Sequence, residues 1–354
     1  MSKIIKPQKG RGAQHNTQNR FEKNSYHIDP EYLEHCRIEN EAYESERTKY
    51  QQVFPKSIVT KNNSPDVPFN YSINPYQGCE HGCVYCYARN SHEYWGYSAG
   101  KDFEKIILVK HNATDLLSRW FHKRGYEPEL IVLSGNTDCY QPAERKYQLT
   151  RKLLQTFLNY KHPVGIITKN SLILRDLDIL NELNQHNLVR ITISITTLNE
   201  ELRRVMEPRT ATIKQRLKTV QVLSDAGIPV NVNLAPIIHG LNNHEVFDLV
   251  KASAEHGAKS VNYILARLNG QIGEIFSEWV HQTYPDRAEK VLNQVKATHN
   301  GKLNESQWKS RMRGEGKYAD QVKMMFNMAC KRFLPPPEKK PMNYEDFTTH
   351  PRLF

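Results

Sequence analysis

The sequence lacks any long hydrophobic run. No apolar segment among its 354 residues approaches the ~18 residues that a membrane-spanning helix needs. The first seven residues include two lysines and lack the apolar core of a secretion signal. The sequence therefore predicts a cytoplasmic protein with no membrane partner.

Acidic residues are outnumbered by basic ones. Asp and Glu number 38 against 49 Lys and Arg, which gives a formal net charge of +11. The excess lies at the two ends, since residues 1–25 carry six Lys and Arg against one Glu, and residues 281–354 carry fourteen against eight acidic residues. Basic proteins are attracted to nucleic acids, anionic membranes and phosphorylated substrates, although basic tails also serve as plain solvated surface. The charge makes nucleic acid a candidate partner.

Cysteine is scarce and unevenly distributed. The chain has six cysteines, and three of them lie within eight residues. Such clustering makes a poor disulfide framework for a long chain and a good set of metal ligands. The six are Cys36, Cys79, Cys83, Cys86, Cys139 and Cys330.

The order of hydrophobic segments indicates an α/β protein. Residues 1–66 are polar, which predicts a partly disordered N-terminal arm that drapes over the core. From residue 67 onward, short β-branched runs alternate with amphipathic stretches. The predicted strands are Phe69–Asn74, Leu130–Ser134, Val164–Thr168, Val189–Ile195, Val230–Leu234 and Ser260–Leu265. A further run, Ile106–Val109, is either an extra strand or part of a connection.

Helices are predicted between the strands, as in a parallel sheet. Six strand–helix units fill residues 67–285, whereas a closed barrel has eight units and takes ~250 residues. We therefore predict a partial (β/α)6 TIM-type barrel with parallel strands, followed by a basic C-terminal extension over residues 286–354. An open doubly wound sheet is the alternative, and in both folds the site lies at the C-terminal ends of the strands. The predicted helices are Pro142–Tyr160, Arg175–Asn184, Thr212–Ala226 and Asn243–His256.

The cysteine cluster directly follows the first predicted strand. Its spacing is C-x3-C-x2-C, with Cys79, Cys83 and Cys86 as the candidate metal ligands. Three neighbouring thiolates call for a shared cation or cluster, and Gly78 and Gly82 let the backbone curl and turn amides toward sulfur. Soft thiolates suit both zinc, with a histidine as fourth ligand, and a cubane iron–sulfur cluster held by three cysteines.

This spacing resembles the signature of the radical SAM superfamily, and flanking residues resemble its spore-photoproduct-lyase-like (DNA repair photolyase-like) branch. The resemblance covers about residues 67–270, and Gly10–Ala13 and Asn19–Glu22 are similar to an uncharacterised bacterial subgroup of that branch. The matching pieces are Asn74–Cys79, Cys83–Tyr87, Ser134–Asp138, Glu207–Arg209, Pro236–Ile238 and Gly240–Asn242.

The resemblance implies an enzyme with a [4Fe-4S] cluster and S-adenosylmethionine (SAM) as cofactors. Reductive cleavage of SAM would give a 5′-deoxyadenosyl radical that abstracts hydrogen from a substrate, leading to lyase or modification chemistry. A small reductant protein such as flavodoxin or ferredoxin would supply the electron, and nucleic acid is the candidate substrate. Because a primary alkyl radical is indiscriminate, the site must exclude water and hold one C–H bond in reach.

Several residues at strand ends are candidates for SAM binding. By position, Ser134, Gly135, Asn136, Thr137 and Asp138 match the segment that contacts the methionine amino group in this superfamily, although the same residues also suit a polar turn. Lys169 and Arg209 are candidates for binding the methionine carboxylate. The alternative for Lys169 is an ordinary solvated lysine. The alternatives for Arg209 are a helix cap and an ion pair with Glu207. Ser194 lies late in the fourth predicted strand and could face the ribose or the carboxylate, unless that strand is a half-exposed edge.

Two residues are candidates for catalysis. Tyr85 resembles a tyrosine that the lyase branch uses around its radical site, with packing beside the cluster as the alternative. Cys139 is a candidate hydrogen-atom donor, but it does not align cleanly with the cysteine of that lyase and equally suits a buried small side chain.

Two other functions remain open at this stage. The cysteine cluster also fits a zinc-stabilised protein that binds nucleic acid without catalysis. An activase that makes a radical on a partner protein would use the same cluster. The metal content of the purified protein separates the zinc protein from the two radical enzymes.

Overall fold

The computed structural model describes residues 8–21, 47–308, 310–336 and 340–350. Cys36 and Glu22, which the sequence analysis singled out, lie outside these ranges. Within them, the strands are β1 (Lys49–Val53), β2 (Val59–Lys61), β3 (Tyr71–Ile73), β4 (Tyr76–Gln77), β5 (Ile106–Lys110), β6 (Ile131–Leu133), β7 (Val164–Thr168), β8 (Val189–Ser194), β9 (Val230–Ile237) and β10 (Ser260–Leu265).

Seven of the described strands form one sheet, in the order β10-β9-β8-β7-β6-β3-β2. Every neighbouring pair is parallel except β2 and β3, which are antiparallel. The six parallel strands follow one another in chain order, whereas a doubly wound sheet reverses direction at a switch point. The prediction of an α/β fold with a partial (β/α)6 barrel is therefore confirmed, and all six predicted strands are present.

Two strands lie in the segment predicted as a polar arm. β1 pairs in parallel with β5 in a second, three-stranded sheet that also contains β4, and β2 extends the main sheet next to β3. The run Ile106–Val109 is thus an extra strand outside the barrel sheet. Hydrophobic periodicity could not reveal β1 or β2, because most of their residues are exposed.

The helices follow the predicted alternation, with one difference. The predicted helix Pro142–Tyr160 is two helices, because Gln148 adopts a left-handed φ of 51° between them. The Glu144 carboxylate then accepts hydrogen bonds from the backbone amides of Thr150 and Arg151 at the start of the second helix. A pattern of apolar positions cannot detect such a break, since it depends on the backbone conformation of the single residue Gln148.

The described α-helices are bounded as follows, and none is long and apolar enough to cross a membrane. They are Lys101–Lys105, Ala113–Phe121, Glu144–Tyr147, Leu149–Asn159, Leu177–Gln185, Glu200–Met206, Ile213–Asp225, Val246–Glu255, Ile272–Thr283, Ala288–Ala297, Ser310–Arg313 and Gly316–Phe333. Short 3-10 helices span Tyr87–Ser91, Glu93–Trp95, Ser171–Asp176, Asn243–Glu245 and Pro285–Arg287.

Two apolar clusters position the site. The larger lies between the parallel strands and their helices, where β-strand side chains such as Ile73, Leu133 and Val232 are fully buried. The smaller joins Cys83, Val84 and Tyr85 to the helices Ile272–Thr283 and Ala288–Ala297. The chain beyond β10 therefore packs against the cysteine-bearing segment and shields it from water.

Candidate functional site

The three clustered cysteines lie on a loop that leaves β4 and ends in the 3-10 helix Tyr87–Ser91. We call residues 78–86 the cysteine loop. Cys79 and Cys83 are buried and Cys86 is half-buried. Gly78 has a φ of 81°, and a β-carbon there would lie 2.5 Å from the carbonyl oxygen of Ile106, so only glycine allows the loop to begin its turn.

Backbone hydrogen bonds attach the cysteine loop to its surroundings. The Cys79 amide donates to the Phe103 carbonyl at 2.8 Å, and the Val84 amide donates to the Met206 carbonyl at 3.1 Å. The buried Arg89 guanidinium donates through Nε to the Cys83 carbonyl at 2.9 Å. The backbone of the loop is thus held at three points, which restricts the positions of the residues that carry its thiols.

The chemistry of the thiols fits a bound cluster. Burial raises the pKa of Cys79, and the nearby Asp138, Cys86 and Cys83 raise it further. A hydrogen bond from the His81 amide lowers the pKa of Cys79, and one from the Ala88 amide lowers the pKa of Cys86. Three neighbouring thiolates need positive charge between them, and amides aimed at sulfur are a feature of iron–sulfur sites.

A site for a single metal ion needs a different arrangement of ligands from a site for a cluster. Among the residues that the structure describes, no three His, Cys, Asp or Glu side chains lie close enough together to surround one metal ion. Cysteines that hold a cubane each bind a different iron, so they need not converge on one point as zinc ligands do. Three free cysteines on one loop, with backbone amides that donate to Cys79 and Cys86, suit the three cysteine ligands of such a cluster.

The segment Ser134–Asp138 follows β6 and forms hydrogen bonds with residues just before the cysteine loop. The Asn136 amide donates to the Asn74 side chain at 2.7 Å, and the Thr137 hydroxyl donates to the Tyr76 carbonyl. Ser134 has a positive φ of 72°, and its hydroxyl accepts the Cys139 amide at 2.7 Å. A β-carbon at Gly135 would lie 2.5 Å from the β-carbon of Ser72, so the segment packs directly on β3.

Asp138 connects the cysteine loop to the end of β7. Its carboxylate accepts hydrogen bonds from the Thr168 hydroxyl and the Lys169 amide, both at 2.8 Å, and lies 3.4 Å from Nδ1 of His81. Burial alone would raise the pKa of Asp138, but His81 and these hydrogen bonds outweigh it and lower the pKa. The carboxylate is therefore ionised at neutral pH, as binding of an ammonium group requires.

Lys169 lies among oxygen atoms beside the loop. Its ammonium is 3.0 Å from the Ala235 carbonyl, 3.3 Å from the Thr196 hydroxyl and 3.3 Å from Oε1 of Glu207. It also lies 5.7 Å from the centre of the Tyr85 ring. The end of β7 thus brings this cation within contact of a residue adjacent to Cys86.

Glu207 is the centre of a buried polar network that the sequence analysis did not identify. Its carboxylate pairs with Arg216 and accepts hydrogen bonds from Tyr85 and Thr196. Both members of the ion pair are fully buried. Burial alone would raise the pKa of Glu207, but Arg216 and Lys169 outweigh it and hold the pKa well below its usual range. No pattern marked Arg216, because it lies in a helix with charged residues at several other positions.

The other predicted site residues have different surroundings. Ser194 is buried at the end of β8, and Arg209 is 3.9 Å from the Glu80 carboxylate, with its backbone amide bonded to the His81 carbonyl. Cys139 is fully buried in the larger apolar cluster, and burial raises the pKa of its thiol. These surroundings favour the packing alternative for Cys139.

Comparison with family models gives a match over residues 73–252 to the model described as Radical SAM superfamily. Among curated proteins, an uncharacterised protein of Mycobacterium tuberculosis is 31% identical over 240 residues, which are 67% of this chain and 71% of that protein. An uncharacterised protein of Methanocaldococcus jannaschii is 28% identical over 225 residues, 64% of this chain and 80% of that protein.

Comparison with solved structures supports the partial α/β barrel fold described above. Spore photoproduct lyase complexed with dinucleoside spore photoproduct has a TM-score of 0.60 at 16% identity and covers 86% of this chain and 91% of its own. A mutant of the same lyase with bound AdoMet and dinucleoside spore photoproduct has a TM-score of 0.59, also at 16% identity, covering 81% of this chain and 80% of its own. At this identity the likeness concerns the fold.

Proposed function

The chain belongs to the radical SAM superfamily, and we propose that this enzyme cleaves SAM reductively at a [4Fe-4S] cluster held by Cys79, Cys83 and Cys86. When bound, the cluster supplies the electron that splits SAM into methionine and a 5′-deoxyadenosyl radical, which takes a hydrogen atom from the substrate. The observation that carries the proposal is the enclosed cysteine loop, whose three thiols lie at the strand ends within the matched region. A small reductant protein such as flavodoxin or ferredoxin is the proposed electron donor.

The chain's own residues supply binding groups of both charges for SAM. The ionised Asp138 and the carbonyls of Ser134–Thr137 are proposed to accept hydrogen bonds from the methionine ammonium. Lys169 is proposed to bind the methionine carboxylate, and its position among three oxygen acceptors supports this by orienting the ammonium. Ser194 and Arg209 remain candidates for the ribose and the carboxylate.

Tyr85 is proposed to line the site. Its ring is buried, and its hydroxyl donates to Glu207. Burial raises the pKa of this phenol well above its usual value, and the neighbouring Glu207 raises it further. The phenol therefore stays protonated, and the ring excludes water from the cysteine loop.

The proposed reaction predicts label transfer from substrate to cofactor. We expect the anaerobically purified, reduced protein to contain about four irons per chain and to release 5′-deoxyadenosine from SAM. With a deuterated candidate substrate, mass spectrometry should detect deuterium in the 5′-deoxyadenosine. One zinc per chain and no 5′-deoxyadenosine would contradict the proposal and favour the zinc-stabilised binding protein.

Nucleic acid is the proposed substrate class, because cationic and aromatic side chains lie near the cysteine loop. Arg267 follows β10, and its guanidinium acts to lower the pKa of Tyr87, a half-exposed tyrosine that adjoins Cys86. Arg311, which pairs with Asp66, lowers the pKa of Arg267 and lies 4.0 Å from the centre of the half-exposed Trp308 ring. Such side chains bind phosphates and stack on bases.

This proposal predicts binding that weakens with salt. We expect the affinity for a short oligonucleotide to fall linearly on logarithmic axes as salt increases, and Arg267→Gln to reduce the slope by about one. Arg124→Gln is a matched control, because this exposed residue precedes β6 and lies toward the opposite edge of the sheet. Fluorescence anisotropy measures both slopes, and a flat salt dependence for the unsubstituted protein would remove phosphate contact from the proposal.

A further inference from the structure

The two N-terminal sequence motifs have no role in the function proposed above, yet they lie on the candidate site. Residues 8–21, which we call the N-terminal strap, contain Gly10–Ala13 and most of Asn19–Glu22. Although the strap is polar, Arg11, Ala13 and Asn19 are each at most 5% exposed. A polar segment is buried this deeply only where specific partners satisfy it.

The strap meets the cysteine loop where two glycines face each other. A β-carbon at Gly12 would lie 1.8 Å from the carbonyl oxygen of Gly82 and 3.1 Å from Cγ1 of Val84. Gly82 itself has a φ of 69°, and a β-carbon there would lie 3.0 Å from the Glu104 carboxylate. The strap backbone therefore lies directly on the loop between its first two cysteines, with no space for a side chain.

A buried ion pair joins the strap to the cysteine loop from the other side. The fully buried Glu104 carboxylate accepts the Gly12 amide at 3.1 Å and the Ala13 amide at 2.8 Å, and it pairs with Arg89. Arg89 in turn holds the Cys83 carbonyl through Nε. The Arg11 guanidinium donates to the Glu104 carbonyl at 2.7 Å. One continuous set of hydrogen bonds thus runs from the strap to the second cysteine.

The rest of the strap follows the segment that supports the first cysteine. Asn16 exchanges two hydrogen bonds with Asp102, at 2.9 and 3.0 Å, and the His15 carbonyl accepts the Lys101 amide at 3.1 Å. The next residue of that segment, Phe103, provides the carbonyl that accepts the Cys79 amide. Cys79 and Cys83 are therefore each connected to the strap through one or two intervening residues.

We propose that the N-terminal strap is a positioning element for the cysteine loop. By placing Gly12 on Gly82 and satisfying the Glu104 carboxylate, it holds the loop in the conformation that presents the thiols and closes one side of the loop to water. The proposal depends on the proposed function only for the identity of the bound cluster.

Gly12→Ala in the full chain tests the contact directly. The new methyl group forces the strap or the loop to shift, so we expect amide hydrogen exchange over residues 78–86 to accelerate about tenfold. After anaerobic reconstitution, we expect the visible absorbance of the cluster to decay faster under a chelator than in the unsubstituted protein. The control is Gly125→Ala, where no atom lies within 4 Å of the added carbon and the φ of 70° strains only its own turn, so neither measurement on the cysteine loop should change.

A second variant guards against general unfolding. Asn16→Ala removes two hydrogen bonds from an exposed side chain, so the melting temperature should change little while exchange over residues 78–86 still accelerates. Loop exchange and cluster decay equal to those of the unsubstituted protein in both variants would overturn the proposal. Because the exchange experiment is also run without the cluster, a protein that binds no iron would contradict the proposed function and leave the strap's role to be decided by loop exchange.

Discussion

Replacing any one of Cys79, Cys83 and Cys86 with alanine is expected to reduce 5′-deoxyadenosine formation by ~10³-fold or more, a loss of ~4 kcal/mol in transition-state stabilisation. Each thiol is proposed as one of three cysteine ligands, so the loss of one would leave an iron without its protein ligand. Iron content and 5′-deoxyadenosine release, measured anaerobically, test the expectation.

The chain provides a matched control for the cysteine substitutions. Cys330 is a half-buried cysteine in the helix Gly316–Phe333, remote in sequence from the cysteine loop. Cys330→Ala should retain the iron content and the rate of the unsubstituted protein. If a variant of the cysteine loop turned over SAM as fast as Cys330→Ala does, the thiol it lacks would not be a cluster ligand.

Glu207→Gln is expected to lower the free energy of unfolding by about 3–5 kcal/mol, because it leaves the Arg216 guanidinium buried without an opposite charge. Both groups are fully buried, and Tyr85 and Thr196 lose an ionised acceptor at the same time. Urea unfolding followed by circular dichroism measures the difference. A surface pair of the same type gives the comparison: Asp178→Asn, beside the partly exposed Arg151, should cost less than about 1 kcal/mol.

The same network predicts a dependence of stability on pH. Since the folded protein holds the pKa of Glu207 well below its ordinary value of 4.5, the stabilisation is present above about pH 4.5 and is lost as the pH falls below it. The loss is at most about 1.4 kcal/mol per pH unit for one group. Glu207→Gln should lack this pH-dependent stabilisation. Plotted against pH, the free energies of unfolding of the variant and the unsubstituted protein should therefore converge as the pH falls. Parallel curves would show that Glu207 does not titrate with folding.

The barrel could be predicted from the sequence because most buried parallel strands are nearly continuous apolar runs, such as Ile131–Leu133 and Val164–Thr168. The cysteine spacing was equally accessible, since three cysteines on one short loop leave a local signature. Residue-by-residue contacts with SAM remain predictions, although Asp138 and Lys169 do lie beside the cysteine loop.

The features that sequence analysis missed depend on partners far away in the chain. The exposed side chains of β1 gave no alternating pattern, because its pairing with β5 uses only backbone groups. Arg216 and Glu104 carry the same charges as surface residues on their helices, and only tertiary packing distinguishes them. Buried ion pairs of this kind have no periodicity of their own.

The strap's contact with the Glu104 carboxylate also has a consequence for the order of assembly during translation. Gly12 and Glu104 are 92 residues apart, and the ribosome releases the chain from its N-terminus. The strap can therefore close only after Glu104 has been synthesised, and this closure adds a long-range step to folding. The proposed cluster would then have an open side for insertion after the thiols have emerged and before the strap closes over the cysteine loop.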